Sequence, residues 1–179
     1  MKIEGTSFAG VHIVRPLVHK DERGQFIKAF QKSFLTRYGL RGDFNESYST
    51  VSHTNVLRGM HIQLPPGHGP KIVYCAEGRV MDVLLDLRKS SATYKKHLIL
   101  HMNGETSDVF YVPEGVAHGF WVEKGPARVQ YFQHAEYAPE LDTGIRWDKA
   151  GIDWPSCNPI VSKRDQEFPS LDDFNSPFP

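Results

Sequence analysis

Between residues 55 and 134 the chain is a succession of short apolar or alternating runs cut apart by turn formers. NVLRGMHIQ (55–63), KIVYCAE (71–77), RVMDVLLDLR (79–88) and KKHLILHM (95–102) have strand character, as do SDVFYVP (107–113), HGFWVE (118–123) and ARVQYFQH (127–134). Two earlier runs, GVHIVRP (10–16) and GQFIKAF (24–30), match them. Glu77-Gly78, Asn103-Gly104 and Lys124-Gly125 fall between runs, and Asn-Gly is the strongest hairpin signal of the three. A strand spacing of roughly 8–12 residues predicts an all-β sandwich or barrel. One short helix is expected, with Ser33 capping Phe34–Tyr38 and Gly39 just past its end.

The 179 residues suit one domain with a real core. The Pro/Asp-rich segment from about residue 138 to 179 is expected to wrap the barrel instead of forming a second domain. No internal repeat or low-complexity tract interrupts this plan. Lys+Arg and Asp+Glu both number 21, so net charge gives no case for nucleic acid or a membrane surface. Anion binding must therefore come from a few focused cations. The opening MKIEGTSFAGVHIV lacks a signal-type apolar stretch, and no run of about 18 apolar residues occurs. Cys75 and Cys157 lack metal-ligand spacing, and the expectation is a reduced, cytoplasmic protein.

Several polar groups share strand parity with core residues. HGFWVE sets His118 in phase with Phe120 and Val122, ARVQYFQH sets Tyr131 with Ala127 and Val129, and KIVYC sets Lys71 with Val73 and Cys75. Each alone is an ordinary strand-end or hydrogen-bonded core residue. Together they predict a polar pocket in the barrel mouth. A buried lysine must be paired or neutralised. In RVMDVLLDLR, Met81, Val83, Leu85 and Leu87 are assigned to the core, while Asp82 and Asp86 read as solvated or paired structural carboxylates.

Strict alternation would point Arg58 and His61 to opposite faces. Gly59 lies between them, and a bulge there would turn both into one pocket. A metal reading is weak. Pro113 to His118 has the P-x-G-x-x-H shape of half a cupin signature, but the His-x-His of the other half is broken as His61-Ile62-Gln63. The remaining donors make a poor ligand set.

The chain resembles the dTDP-4-dehydrorhamnose 3,5-epimerase family, metal-free cupins that act on nucleotide-linked 4-keto-6-deoxy sugars. The resemblance rests on Asp21-Glu22-Arg23-Gly24, Val56-Leu57-Arg58-Gly59-Met60-His61, Lys71-Ile72-Val73 and Asp86-Leu87-Arg88. It continues through Val112-Pro113-Glu114-Gly115-Val116-Ala117-His118-Gly119-Phe120, Gly144-Ile145-Arg146-Trp147 and Gly151-Ile152-Asp153-Trp154-Pro155, covering about residues 3–168. It implies a cupin-type double-stranded β-helix, or jelly roll, with no cofactor. It also implies a homodimer in which N-terminal strands from about residues 1–30 are exchanged.

The resemblance assigns roles as well. His61 is the base that removes a proton beside the C4 ketone, with Asp165 as its carboxylate partner. Lys71 faces the developing oxyanion, and Tyr131 reprotonates from the opposite side. Arg23, Arg58 and His118 hold the diphosphate, and Tyr137 stacks on the base. Phe26, Lys28, Asn45, Ser47, Asp142 and Arg164 complete the expected substrate-binding set.

Three departures from the family pattern stand out: Lys28 where a Glu reads the base, Asn45-Glu46-Ser47 for a Q-x-N pair, and Arg164 for a Lys. Thymine presents an N–H at N3 and cytosine an acceptor, so Lys28 opens the alternative of a CDP- or GDP-linked sugar. A separate alternative is inversion at C3 or C5 only. More distant alternatives are a metal-dependent cupin enzyme and a sugar-nucleotide-binding cupin without catalysis.

Overall fold

The computed structural model describes residues 1–106 and 108–179. In chain order the elements are β1 (Lys2–Gly5), β2 (His12–Arg15), β3 (Leu17–Asp21), β4 (Gly24–Lys28), α1 (Lys32–Arg37), β5 (Glu46–Ser52) and β6 (Leu57–Gln63). There follow β7 (Lys71–Asp86), β8 (His97–Asn103), β9 (Val109–Val112), β10 (Val116–Gln133), β11 (Asp142–Gly144) and α2 (Lys163–Gln166). Nine strands pair antiparallel into one continuous network, and β3 and β4 form a separate hairpin. The all-β expectation holds, and the architecture is the cupin-type jelly roll.

The turn signals at Gly78 and Gly125 do not end strands. KIVYCAE and RVMDVLLDLR are the two halves of β7, and HGFWVE and ARVQYFQH are the two halves of β10. Gly78 takes φ 82°, a left-handed conformation open to glycine, and the β7–β10 register shifts around it. The bent ribbon therefore serves two layers. One layer runs β1-β2-β9, then the first half of β7, the second half of β10, and β5. The other runs β8, the second half of β7, the first half of β10, β6 and β11. Asn103-Gly104 makes no hairpin, because β8 pairs with β7 while β9 belongs to the opposite layer. Ser107, the first residue of the expected strand 107–113, lies outside the described residues.

Between the layers lie Val73, Cys75, Val80, Leu84, Phe110, Phe120, Val129 and Tyr131, all buried. The assignment of Met81, Val83, Leu85 and Leu87 to the core is thus half the picture. They form the outer face of the second layer, covered by Ile145, Ala150, Ile152 and Phe178 of the C-terminal segment. The residues of opposite parity, Val80, Asp82 and Leu84, face the interior. The outer face of the first layer is covered by Leu35 of α1 with Phe30, Phe34 and Phe44 around it. α1 starts at Lys32 without a side-chain cap, so Ser33 is inside the helix and caps nothing.

Phe110 is 2 % exposed and Val51 52 % exposed. Phe110→Ala is expected to lower the unfolding free energy by about 3–5 kcal/mol, and Val51→Ala to change it by less than about 0.5 kcal/mol. Urea denaturation with an unchanged slope is the measurement.

Candidate active site

β6 and β10 converge on a cavity of about 300 Å³, bounded by residues from both layers and by the C-terminal segment. From His118 to Phe120 on β10 is two steps, while their partners His61 and Arg58 on β6 are three apart. One extra residue is therefore accommodated in β6. This is the bulge expected at Gly59, and it turns Arg58 and His61 into the same cavity. Gly59 has φ 123°, and a Cβ there would lie 2.5 Å from Gly119 Cα. Only glycine fits.

His61 Nε2 lies 3.0 Å from Asp165 Oδ2, and the same oxygen accepts the Gly59 N–H at 3.0 Å. Asp165 sits in α2, whose first turn is capped by Ser162 Oγ accepting the Asp165 N–H. Burial pushes this carboxyl up, but hydrogen bonds from His61, the Gly59 amide and Ser162 outweigh it and hold the group at about 2. Arg164 stands beside the pair. Its Nη2 is 3.1 Å from His61 Nε2, and its Nη1 is bonded to Asp142. Nε2 is therefore the ring nitrogen that both the carboxylate and the guanidinium approach.

Across the sandwich interior, His118 Nε2 lies 2.5 Å from Asp82 Oδ1, and both side chains are almost wholly buried. Asp82 and Asp86 both match the paired reading: Asp82 is the partner of a cavity histidine, and Arg88, Ser91 and Thr93 all donate to Asp86.

Lys71 enters from the start of β7, opposite Gln133. Burial pushes its ammonium down to about 8, opposed by the negative charges of Asp142 and Asp82. The Tyr131 phenol is raised well above its ordinary value, chiefly by burial. Arg58 donates from Nε to Ser52 Oγ at 2.9 Å and forms part of the cavity wall.

His61, Lys71, Arg58, His118, Tyr131, Tyr137, Asp142 and Arg164 thus line one cavity, with Asp165 directly behind His61. Five expected binding residues do not line it. Asn45 and Ser47 have the wrong parity on the β5 side: Asn45 bonds His134 O and Ser47 bonds Tyr131 O, while Glu46, Tyr48 and Thr50 face the cavity. The period-two pattern of ESYSTVS could have revealed both strand and face. Arg23, Phe26 and Lys28 lie on the β3–β4 hairpin, away from the chain's own cavity. There Arg23 is paired with Asp21 at 2.5 Å and Phe26 is 57 % exposed. Gln63 and Gln133 also line the cavity. Among the described residues no group of three or more His, Cys, Asp or Glu side chains is arranged to hold a metal ion, and both cysteines are free.

The Asp165 carboxyl is depressed from 3.8 to about 2. Its contribution to stability is therefore complete above the unfolded value near pH 4 and lost as pH falls toward 2, a difference of about 2 kcal/mol. Asp165→Asn should be less stable than the unaltered protein by about that much at pH 7, with the gap closing by pH 2 in urea denaturation. A gap independent of pH contradicts the assignment.

The family model for dTDP-4-dehydrorhamnose 3,5-epimerase matches residues 5–173. The dTDP-4-dehydrorhamnose 3,5-epimerase of Shigella flexneri is 38% identical over 180 residues, covering 97% of this chain and 99% of its own. Among solved structures, that of dTDP-4-dehydrorhamnose 3,5-epimerase from Sulfolobus tokodaii superimposes with a TM-score of 0.91 at 32% identity, covering 100% of both chains. The Legionella pneumophila dTDP-6-deoxy-D-glucose-3,5-epimerase, in complex with dTDP-4-keto-L-rhamnose, gives 0.90 at 30% identity, covering 97% of this chain and 94% of that one. Agreement of sequence, fold and length at this level identifies the chain as a member of the dTDP-4-dehydrorhamnose 3,5-epimerase family, an isomerase of the epimerase type.

Proposed function

We propose that the protein inverts C3, C5 or both of a dTDP-linked 4-keto-6-deoxyhexose by proton removal and return through an enolate. The observation that carries this reading is one cavity lined by His61, Lys71 and Tyr131, with Asp165 fixing the imidazole. The C4 ketone acidifies the neighbouring C–H bonds. His61 takes the proton while Asp165 supports the imidazolium. The Lys71 ammonium stabilises the oxyanion on C4, a contribution on the order of 3 kcal/mol for a well-placed donor. Tyr131 stays protonated at neutral pH, so it has a proton to give to the opposite face of the carbon. Arg58, His118 and Arg164 supply donors for the diphosphate, and Tyr137, 55 % exposed at the mouth, offers a ring for the base.

Glu46 favours thymine over the cytosine alternative. Its Oε2 accepts the Tyr137 N–H at 2.7 Å, which sets a carboxylate acceptor beside the proposed stacking residue. Thymine offers its N3–H to such an acceptor, whereas cytosine presents a lone pair at N3 and donates only from its exocyclic amino group. The ligand of the Legionella relative, dTDP-4-keto-L-rhamnose, supports the same choice.

We also infer a cytoplasmic homodimer in which the β3–β4 hairpin of one copy reaches the cavity of the other, bringing Arg23, Phe26 and Lys28. A lone two-stranded hairpin is marginal in water, and its Phe26 is exposed. β2 pairs with the chain's own β9, so the exchange is assigned here to the hairpin.

In deuterated water, a panel of dTDP-, CDP- and GDP-4-keto-6-deoxyhexoses followed by NMR should show deuterium entering C3 or C5 of the dTDP sugar. His61→Ala should abolish that exchange, and Tyr131→Phe should leave some exchange but impair inversion. Lys71→Met should lower kcat more than it changes KM. Exchange with no member of the panel would remove the reaction, and preference for the CDP sugar would remove the base assignment. The pH dependence has a definite sign as well. Lys71 acts as a cation and its value lies at about 8, so kcat should fall as pH rises through that region.

A further inference from the structure

We propose that Tyr48 is a positioning residue for the Tyr131 phenol, and that it sets how often a deprotonated carbon is reprotonated with inversion instead of regaining its original configuration. The inference rests on the epimerisation proposed above. Tyr48 and Tyr131 are direct cross-strand partners on β5 and β10. Their rings stack with centroids 4.7 Å apart and planes 15° apart. The His118 ring meets Tyr131 edge-on at 5.8 Å and 72°. Two rings therefore hold the phenol, one parallel and one perpendicular.

A chain of amide groups anchors the stack. Tyr48 donates its O–H to Gln133 Oε1 at 3.2 Å, and Gln133 Nε2 donates to Gln63 Oε1 at 2.9 Å. Gln63 belongs to β6, the strand that carries His61, and its Nε2 donates to Glu136 O at 2.9 Å. Gln130 Nε2 fixes the Tyr48 backbone by donating to its carbonyl at 2.9 Å. The geometry ties the proposed acid to the strand of the proposed base.

Once His61 has broken the C–H bond, the electron pair lies on the enolate and two donors compete for the carbon. Return of a proton from the imidazolium restores the starting configuration. Transfer from Tyr131 forms the new C–H bond on the opposite face; the phenolate then regains a proton from solvent and the imidazolium releases to solvent the one it took, an exchange that also lets deuterium return from His61. A misplacement of about 1 Å costs on the order of 10²-fold in such a transfer. Loss of the Tyr48 ring frees Tyr131 but leaves His61, held by Asp165, where it is. The two outcomes separate.

The test follows initial rates in deuterated water by NMR, counting deuterated sugar of retained and of inverted configuration. Tyr48→Ala should lower the inverted-to-retained ratio at least about tenfold while total deuterium uptake stays within about threefold. Tyr48→Phe, which keeps the ring contact but loses the link to Gln133, should lower the ratio by no more than about threefold, clearly less than Tyr48→Ala. An unchanged ratio in Tyr48→Ala overturns the inference, and so does a loss in Tyr48→Phe equal to that in Tyr48→Ala. Continued uptake reports a folded site; if Tyr48→Ala does not fold, Tyr48→Leu removes the ring with less loss of volume and is judged by the same ratio. Absence of uptake in the unaltered protein would overturn the reaction and this inference together.

Discussion

The pairing of β7 with β10 along both of their halves is the constraint from which the rest of the molecule follows. Each strand is long enough to belong to both layers, so the two sheets are covalently the same ribbon, bent where Gly78 takes a left-handed conformation. The interior between them is apolar at one end, around Phe110 and Val80, and polar at the other, where Lys71, His118 and Tyr131 face the cavity. The outer faces are covered by chain on either side, α1 over one layer and the C-terminal segment over the other. That segment closes the fold and also delivers Asp165 to His61. Packing and chemistry share one piece of chain.

Each cavity histidine is backed by a carboxylate, His61 by Asp165 and His118 by Asp82, and the pairs differ in surroundings. Asp165 receives an amide N–H from Gly59 on the strand that carries His61, so the bulge that aims the imidazole also binds its partner. Asp82 is fully buried, and its second oxygen lacks a hydrogen-bond partner among the described residues. Lys71 stands near Asp142 and Asp82 in charge terms and keeps a value of about 8 despite burial. Arg58, Lys71 and Arg164 thus share the cavity wall with Glu46 and Asp142.

Strand existence was legible in the alternation of β6 to β10, and so were the inward directions of Lys71, His118 and Tyr131, because one face of each run is uniformly apolar. Pairing was not legible. Asn103-Gly104 carries the local chemistry of a hairpin, but β8 is drawn to β7 by burial of Leu98 and Leu100, a non-local gain that no dipeptide reports. The face of β7 was ambiguous since covering segments bury both parities. β5 has no apolar face to mark it, because its cavity-facing residues, Glu46, Tyr48 and Thr50, are polar, and the expected binding pair, Asn45 and Ser47, falls one residue off that face. The bulge at Gly59 is legible in the sequence, since a glycine between two polar groups in a strand marks a place where the strand can be re-aimed.

In the proposed reaction His61 and Tyr131 address one carbon from opposite sides. A crystal structure with a dTDP-linked sugar that cannot be epimerised measures this directly. The expected result is a His61 ring nitrogen and the Tyr131 hydroxyl each within about 3–3.5 Å of the same ring carbon, on opposite faces of the sugar. Both groups on one face, or a sugar ring bound outside the cavity, would contradict it.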